Sequence, residues 1–125
     1  MIQSVEHRTC ALAVADWNGD MVFDLATGDL ETDTISIRLG NRDGTLQPGV
    51  DLPTDQEPES LTTTDFNQNT FPDIAVATGD GGEVSIWLGV GNGTFQLAGS
   101  YASGFGGRTI IHGDFNVDGK PDLAV

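Results

Sequence analysis

A nine-residue acidic loop occurs three times in this chain. It reads D-W-N-G-D-M-V-F-D over 16–24, D-F-N-Q-N-T-F-P-D over 65–73 and D-F-N-V-D-G-K-P-D over 114–122. Each copy begins 49 residues after the one before. A fixed period in this range marks a repeat architecture, in which one unit cannot bury its apolar face alone and neighbours stack to make the core. The loop also puts oxygen-bearing side chains at positions one, three, five and nine, an arrangement that suits a hard cation. One feature therefore constrains both the fold and the ligand.

The copies are ungapped. Residues 3–51 and 52–100 form two full units, and 101–125 the first half of a third. Identities between the full units fall at loop positions (Asp16/Asp65, Asn18/Asn67, Asp24/Asp73), at glycines (Gly40/Gly89, Gly44/Gly93) and at alternate apolar positions (Ile37/Ile86, Leu39/Leu88). Each unit is expected to hold four short strands. The first precedes the acidic loop, at 10–15, 60–64 and 109–113. The second follows it, at 23–27, 73–77 and 122–125. The third alternates apolar and polar residues, T-I-S-I-R-L at 34–39 and E-V-S-I-W-L at 83–88, the signal of a half-buried strand. The fourth begins after a Gly-containing turn, D-G-T-L-Q at 43–47 and N-G-T-F-Q at 92–96, where Asp43-Gly44 and Asn92-Gly93 supply the positive φ that a tight turn needs. No segment carries a sustained helical period. Four antiparallel strands in about 50 residues is the content of a β-propeller blade. The expected fold is all-β: about two and a half blades of an open propeller.

Charge narrows the ligands. The 125 residues include 19 Asp and Glu against 5 Lys and Arg, a net charge of −14. Nucleic acid and anionic membrane both require a basic footprint, so neither is expected as a partner. Eight acids lie in the loops (Asp16, Asp20, Asp24, Asp65, Asp73, Asp114, Asp118, Asp122), where an even spread would place about four. No stretch approaches the roughly 20 apolar residues of a membrane span, and no signal peptide is visible at the N-terminus. Cys10 stands alone, so no intrachain disulfide is expected; its run C-A-L-A-V-A reads as a buried position.

These residues resemble a known family. H-G-D-F-N-V-D-G-K-P-D-L-A-V at 112–125, I-W-L-G-V-G-N-G-T-F-Q at 86–96 and I-R-L-G-N-R-D-G-T-L-Q at 37–47 are similar to the FG-GAP or VCBS repeats. These are best known from the β-propeller of integrin α subunits and from bacterial surface proteins. Phe105-Gly106 stands where the family's first dipeptide is often found. The resemblance implies a blade with Ca²⁺ held between its first two strands, a non-enzymatic role in adhesion or interaction, and an extracellular or cell-surface location. The Gly-His and Trp-Asp pair of the tryptophan–aspartate propeller repeat is absent, as are the aromatic partners of the kelch doublet.

Ca²⁺ takes six to eight oxygens in a tolerant geometry. The candidate ligands are Asp16, Asn18, Asp20 and Asp24 with the Val22 carbonyl in the first loop. In the second they are Asp65, Asn67, Asn69 and Asp73 with the Phe71 carbonyl. In the third they are Asp114, Asn116, Asp118 and Asp122 with the Lys120 carbonyl. Asn69 lowers the charge of the second loop, and the family's glycine at position six is Gly119 in the third loop but Met21 and Thr70 in the others. The expected order of affinity is third, first, second. An EF-hand or dockerin reading would need an acid at position twelve and a helix after it, whereas Thr27, Val76 and Val125 stand there, on apparent strands.

Two alternatives to a plain scaffold are open on sequence alone. A carbohydrate-binding propeller would need exposed aromatics, and Trp87, aligned with Arg38, is the candidate. An accessory part of a secreted hydrolase or lyase would need a catalytic constellation, and none is visible. His7 and His112 carry no nucleophile or orienting acid at a known spacing and read as ordinary strand or surface residues. Trp17, Phe66 and Phe115, at position two of each loop, read as packing between blades. The partner is a protein or carbohydrate ligand at a propeller face. The chain is expected to be an open segment of a longer propeller, starting in fourth-strand material at Met1–Glu6 and stopping in a second strand, or to self-associate through its edges.

Overall fold

The computed structural model describes residues 8–104 and 108–125; His7, Met1–Glu6 and Phe105-Gly106 lie outside them. Ten strands run in chain order. β1 (Thr9–Ala15), β2 (Asp24–Asp29), β3 (Thr34–Gly40) and β4 (Leu46–Pro53) form one antiparallel sheet in sequence order. β5 (Pro58–Thr64), β6 (Asp73–Thr78), β7 (Glu83–Gly89) and β8 (Phe95–Ala102) form a second. β9 (Ile111–Gly113) and β10 (Asp122–Ala124) pair as a two-stranded sheet. This is an open, partial propeller of about two and a half blades.

The repeat extends to irregularities of pairing. β1 and β5 both shift register between equivalent residues, Thr9/Ala11 and Pro58/Ser60. The third and fourth strands of each blade shift near their middle. Bulges of this kind bend and twist a strand.

The fourth strands follow the Gly-containing turns, as expected. They begin at Leu46 and Phe95, and they run for eight residues each. The Asp-Gly and Asn-Gly dipeptides belong to the preceding turn, with Gly44 at φ 84° and Gly93 at φ 82°. There the Asp43 carboxylate accepts the Thr45 N–H and hydroxyl at 3.0 and 2.6 Å, and Asn92 does the same with Thr94. These side-chain bonds close the turn and leave the strand to start later.

Between the first two blades lies the larger core, built from Trp17, Ala26, Ile35, Ile37, Leu52, Leu61, Ile74, Val76 and Trp87. A smaller one, Ala75, Ala77, Val84 and Ile110 with Phe66 and Leu123 against it, joins the second blade to the β9–β10 pair. Of the position-two aromatics, Trp17 and Phe66 pack between blades, whereas Phe115 is exposed. Trp17 is 1% exposed and meets Phe95 of the next blade edge-on, ring centroids 6.0 Å apart. Phe66 meets His112 in the same manner at 6.5 Å, and His112 Nδ1 lies 2.6 Å from the Thr62 hydroxyl. Two readings from sequence are overturned. Trp87 is only 9% exposed and joins the core, because alternation along β7 puts it on the face opposite Val84 and Ile86, toward the first blade, so it is not a surface platform for sugar. Cys10 is exposed rather than buried: alternation along β1 turns Ala11 inward and sends Cys10, Leu12 and Val14 to the other face.

Candidate functional site

Each acidic loop joins the first strand of a blade to the second, and all three fold by one pattern of hydrogen bonds. The carboxylate at position one accepts the N–H of position five at Oδ1 (Asp20 to Asp16, 3.1 Å; Asn69 to Asp65, 3.0 Å; Asp118 to Asp114, 3.0 Å). It accepts the N–H of position six at Oδ2 (Met21, 2.8 Å; Thr70, 2.7 Å; Gly119, 2.8 Å). The Asn at position three accepts the same position-five N–H, at 3.1–3.2 Å in every loop. The position-five side chain accepts the N–H of position seven (Val22, Phe71, Lys120). One N–H thus gathers the oxygens of positions one and three, and in the first and third loops the Asn amide also donates to the position-five carboxylate. Runs of Asx turns are what Asp and Asn at these spacings favour locally.

Such a tight wrap demands left-handed backbone twice. Position four is Gly19 at φ 75°, Gln68 at 59° and Val117 at 61°; position six is Met21 at 63°, Thr70 at 78° and Gly119 at 81°. The sharp turn therefore survives without glycine. Met21 and Thr70 are exposed, so only their own backbone sterics oppose it, at about 1–2 kcal/mol each.

Position nine behaves differently. Asp24 and Asp73 are buried, 1% and 0% exposed. Their Oδ2 atoms accept the N–H of position two, from Trp17 and Phe66, at 2.8 Å. Their Oδ1 atoms accept the N–H of a glycine ending the third strand, Gly40 at 2.9 Å and Gly89 at 2.8 Å. These carboxylates clamp the loop to the sheet. Burial pushes the Asp73 carboxyl above its ordinary 3.8, against the backbone hydrogen bonds from Gly89, Phe66 and Asn67, and the Asp65 charge adds to the rise. In the third loop Asp122 Oδ2 accepts the Phe115 N–H at 3.0 Å. The role of Gly40 and Gly89 was not read from sequence, although their identity in both copies was the available signal. A Cβ at either would collide with a loop carbonyl oxygen, of Phe23 or Pro72.

Neighbouring blades touch the loops. Gly93 N–H in the β7–β8 turn donates to the Trp17 carbonyl at 2.8 Å, and Gln68 Nε2 donates to the Gly119 carbonyl at 3.3 Å.

Among the described residues no three His, Cys, Asp or Glu side chains come together as a metal-holding group. In each loop the side-chain oxygens of positions one and three converge on the position-five N–H, and the position-five oxygen accepts the N–H of position seven. The ninth carboxylate is held by backbone donors.

Residues 65–125 match the FG-GAP-like repeat model. That segment, just under half of the chain, is similar to an FG-GAP-like repeat. The match takes in the second and third loops. The first loop lies outside the matched residues but carries the same hydrogen bonds 49 residues earlier. None of the curated proteins compared with the chain matches it. Among the described residues no helix is long and apolar enough to cross a membrane.

Proposed function

We propose that this chain is a calcium-holding propeller segment that serves as a non-enzymatic interaction or adhesion scaffold at the cell surface or outside the cell. One observation carries the reading: three loops of different sequence keep the same five hydrogen bonds, and each accepts left-handed backbone at a non-glycine residue to do so, at Met21, at Gln68 and Thr70, and at Val117. Strain held against sterics in this way is a pointer to function. Asp16, Asn18 and Asp20, Asp65, Asn67 and Asn69, and Asp114, Asn116 and Asp118 would hold the ion, with the carbonyls of Val22, Phe71 and Lys120. The ion would supply the positive charge that like-charged carboxylates lack. Asp24, Asp73 and Asp122 position the loop and stand next to the shell. A scaffold role at the surface accords with the family type, and mid-affinity calcium loops fill where calcium is millimolar.

The test is thermal melting with isothermal titration. Binding to the folded state alone stabilises by about 2.7 kcal/mol at a hundredfold excess over Kd, so millimolar Ca²⁺ should raise Tm and EDTA lower it. Asn69→Asp should tighten the second site and Asp118→Ala should remove most affinity from the third. Superimposable melts in Ca²⁺ and EDTA would overturn the proposal.

A further inference from the structure

The six asparagines of this chain are followed two residues on by Asp, Asp, Asn, Phe, Thr and Asp, so Asn92-Gly93-Thr94 is the one Asn-X-Thr run in the sequence. Asparagine with a hydroxyl two residues later, and no proline between, is the acceptor pattern for N-linked sugar. Three residues alone occur by chance in many chains. What decides is where the fold puts them.

The run makes the turn between β7 and β8, and Asn92 and Thr94 are both exposed. Asn92 Oδ1 accepts the Thr94 N–H at 3.0 Å and the Thr94 hydroxyl at 2.6 Å. Both bonds fall on the amide oxygen, and the amide nitrogen makes no hydrogen bond among the described residues. Elsewhere that nitrogen is engaged. Asn18 and Asn116 donate to loop carboxylates, Asn41 to the Thr45 hydroxyl and Asn69 to the Gly89 carbonyl. The turn is also held from behind, since Gly93 is buried and its N–H donates to the Trp17 carbonyl at 2.8 Å. The first blade offers a comparison within the chain. Asp43-Gly44-Thr45 makes the same turn, with Asp43 Oδ1 accepting the Thr45 N–H and hydroxyl at 3.0 and 2.6 Å. Its carboxylate has no nitrogen to modify.

We propose that Asn92 is an acceptor for an N-linked glycan. The proposal rests on the extracellular part of the function given above, because the sugar is transferred on entry to the export route. Nδ2 bonds to the anomeric carbon of an oligosaccharide carried on a polyprenyl diphosphate. The bond from that carbon to the diphosphate oxygen breaks, the lipid diphosphate leaves with the electron pair, and one Nδ2 proton passes to a base of the transferase. The product is still a neutral amide, so Oδ1 keeps both bonds to Thr94. The glycan then stands at the junction of the first two blades, because Gly93 is bonded to Trp17 of the first acidic loop. It shields that junction from a large partner and leaves the loop open to a small ion.

The test expresses the full chain behind a cleavable secretion signal in a eukaryotic host, so the outcome does not depend on how the chain is exported in nature. Cells and medium are both assayed, by gel mobility before and after a peptide N-glycosidase. That enzyme leaves aspartate at the attachment site, which peptide mass spectrometry locates. One glycan is expected, at Asn92. Asn92→Asp should abolish it and keep the fold, because Asp43 makes the same two bonds one blade earlier. Thr94→Ala should abolish it as well, and Asp43→Asn should add a second glycan. A signal-cleaved wild-type chain without sugar, or a glycan that survives Asn92→Asp, would overturn the proposal. An Asp43→Asn chain with no second glycan would overturn the role given to the turn. Melts of wild type and Asn92→Asp in Ca²⁺ and EDTA keep the two readings apart: a Tm unmoved by Ca²⁺ in both strikes the cation reading and leaves the glycan result standing.

Discussion

Thr70→Gly should stabilise the protein, although it removes a side chain and frees the backbone. Thr70 is a β-branched residue at φ 78°, exposed, and held there because its N–H donates to Asp65 Oδ2 at 2.7 Å. Left-handed backbone costs a residue with a Cβ about 1–2 kcal/mol. Glycine escapes that cost but gives the unfolded chain extra freedom, about 0.5–1 kcal/mol the other way. The N–H that makes the bond is untouched. A net gain of about 0.5–1 kcal/mol follows, or a Tm rise of about 2–5 °C for a chain of this size. Gly119→Ala reverses the exchange in the third loop and should cost about 1 kcal/mol; Thr70→Ala should fall between wild type and Thr70→Gly. Urea denaturation in EDTA isolates the backbone term from ion binding. A destabilised Thr70→Gly together with a neutral Gly119→Ala would show that position six is not held left-handed in solution, and the shared loop geometry would fall with it.

Other substitutions separate clamp from shell. Asp24→Ala leaves two backbone N–H groups without their acceptor and should cost about 3–5 kcal/mol, while Asp20→Ala, on an exposed loop, should cost under about 1 kcal/mol in EDTA; equal losses by denaturant unfolding would refute the division. Gly89→Ala forces the end of β7 off the Pro72 carbonyl and should cost about 2–4 kcal/mol, measured the same way, and no loss would mean that the close approach is not real. Burial and then the Glu59 charge raise the Cys10 thiol pKa above 9.0. A raised value means less thiolate at any given pH, so modification by a disulfide reagent should be slow at pH 8 with a midpoint above 9.0; a midpoint below that value would contradict the surroundings seen at β1.

Much of this was legible in the residues. The period of 49 and the alternation in T-I-S-I-R-L and E-V-S-I-W-L placed the third strands within a residue, because a half-buried strand must alternate. The loops could be placed for the same kind of local reason: Asp and Asn bond to their own backbone. What escaped was set by contacts distant in sequence. Asp24 looks like any loop acid until Gly40, sixteen residues later, is seen to donate to it. Trp87 aligns with Arg38 and so looked like a surface position, but the neighbouring blade decides which way the strand faces. Cys10 sits in an apolar run, and only the pairing of β1 reveals that its alternate residues face away from the core.

The bond from Gly93 to the Trp17 carbonyl bears on how the chain can be cut. Copy boundaries in the sequence place one unit at 3–51. Yet the first loop has its second residue roofed by Phe95 and its carbonyl held by Gly93, both from the following unit. Excision at residue 51 would uncover an indole and release one wall of the loop. The smallest piece that keeps the first loop in its own surroundings reaches past its own blade to Phe95, so the working module straddles the repeat rather than coinciding with it.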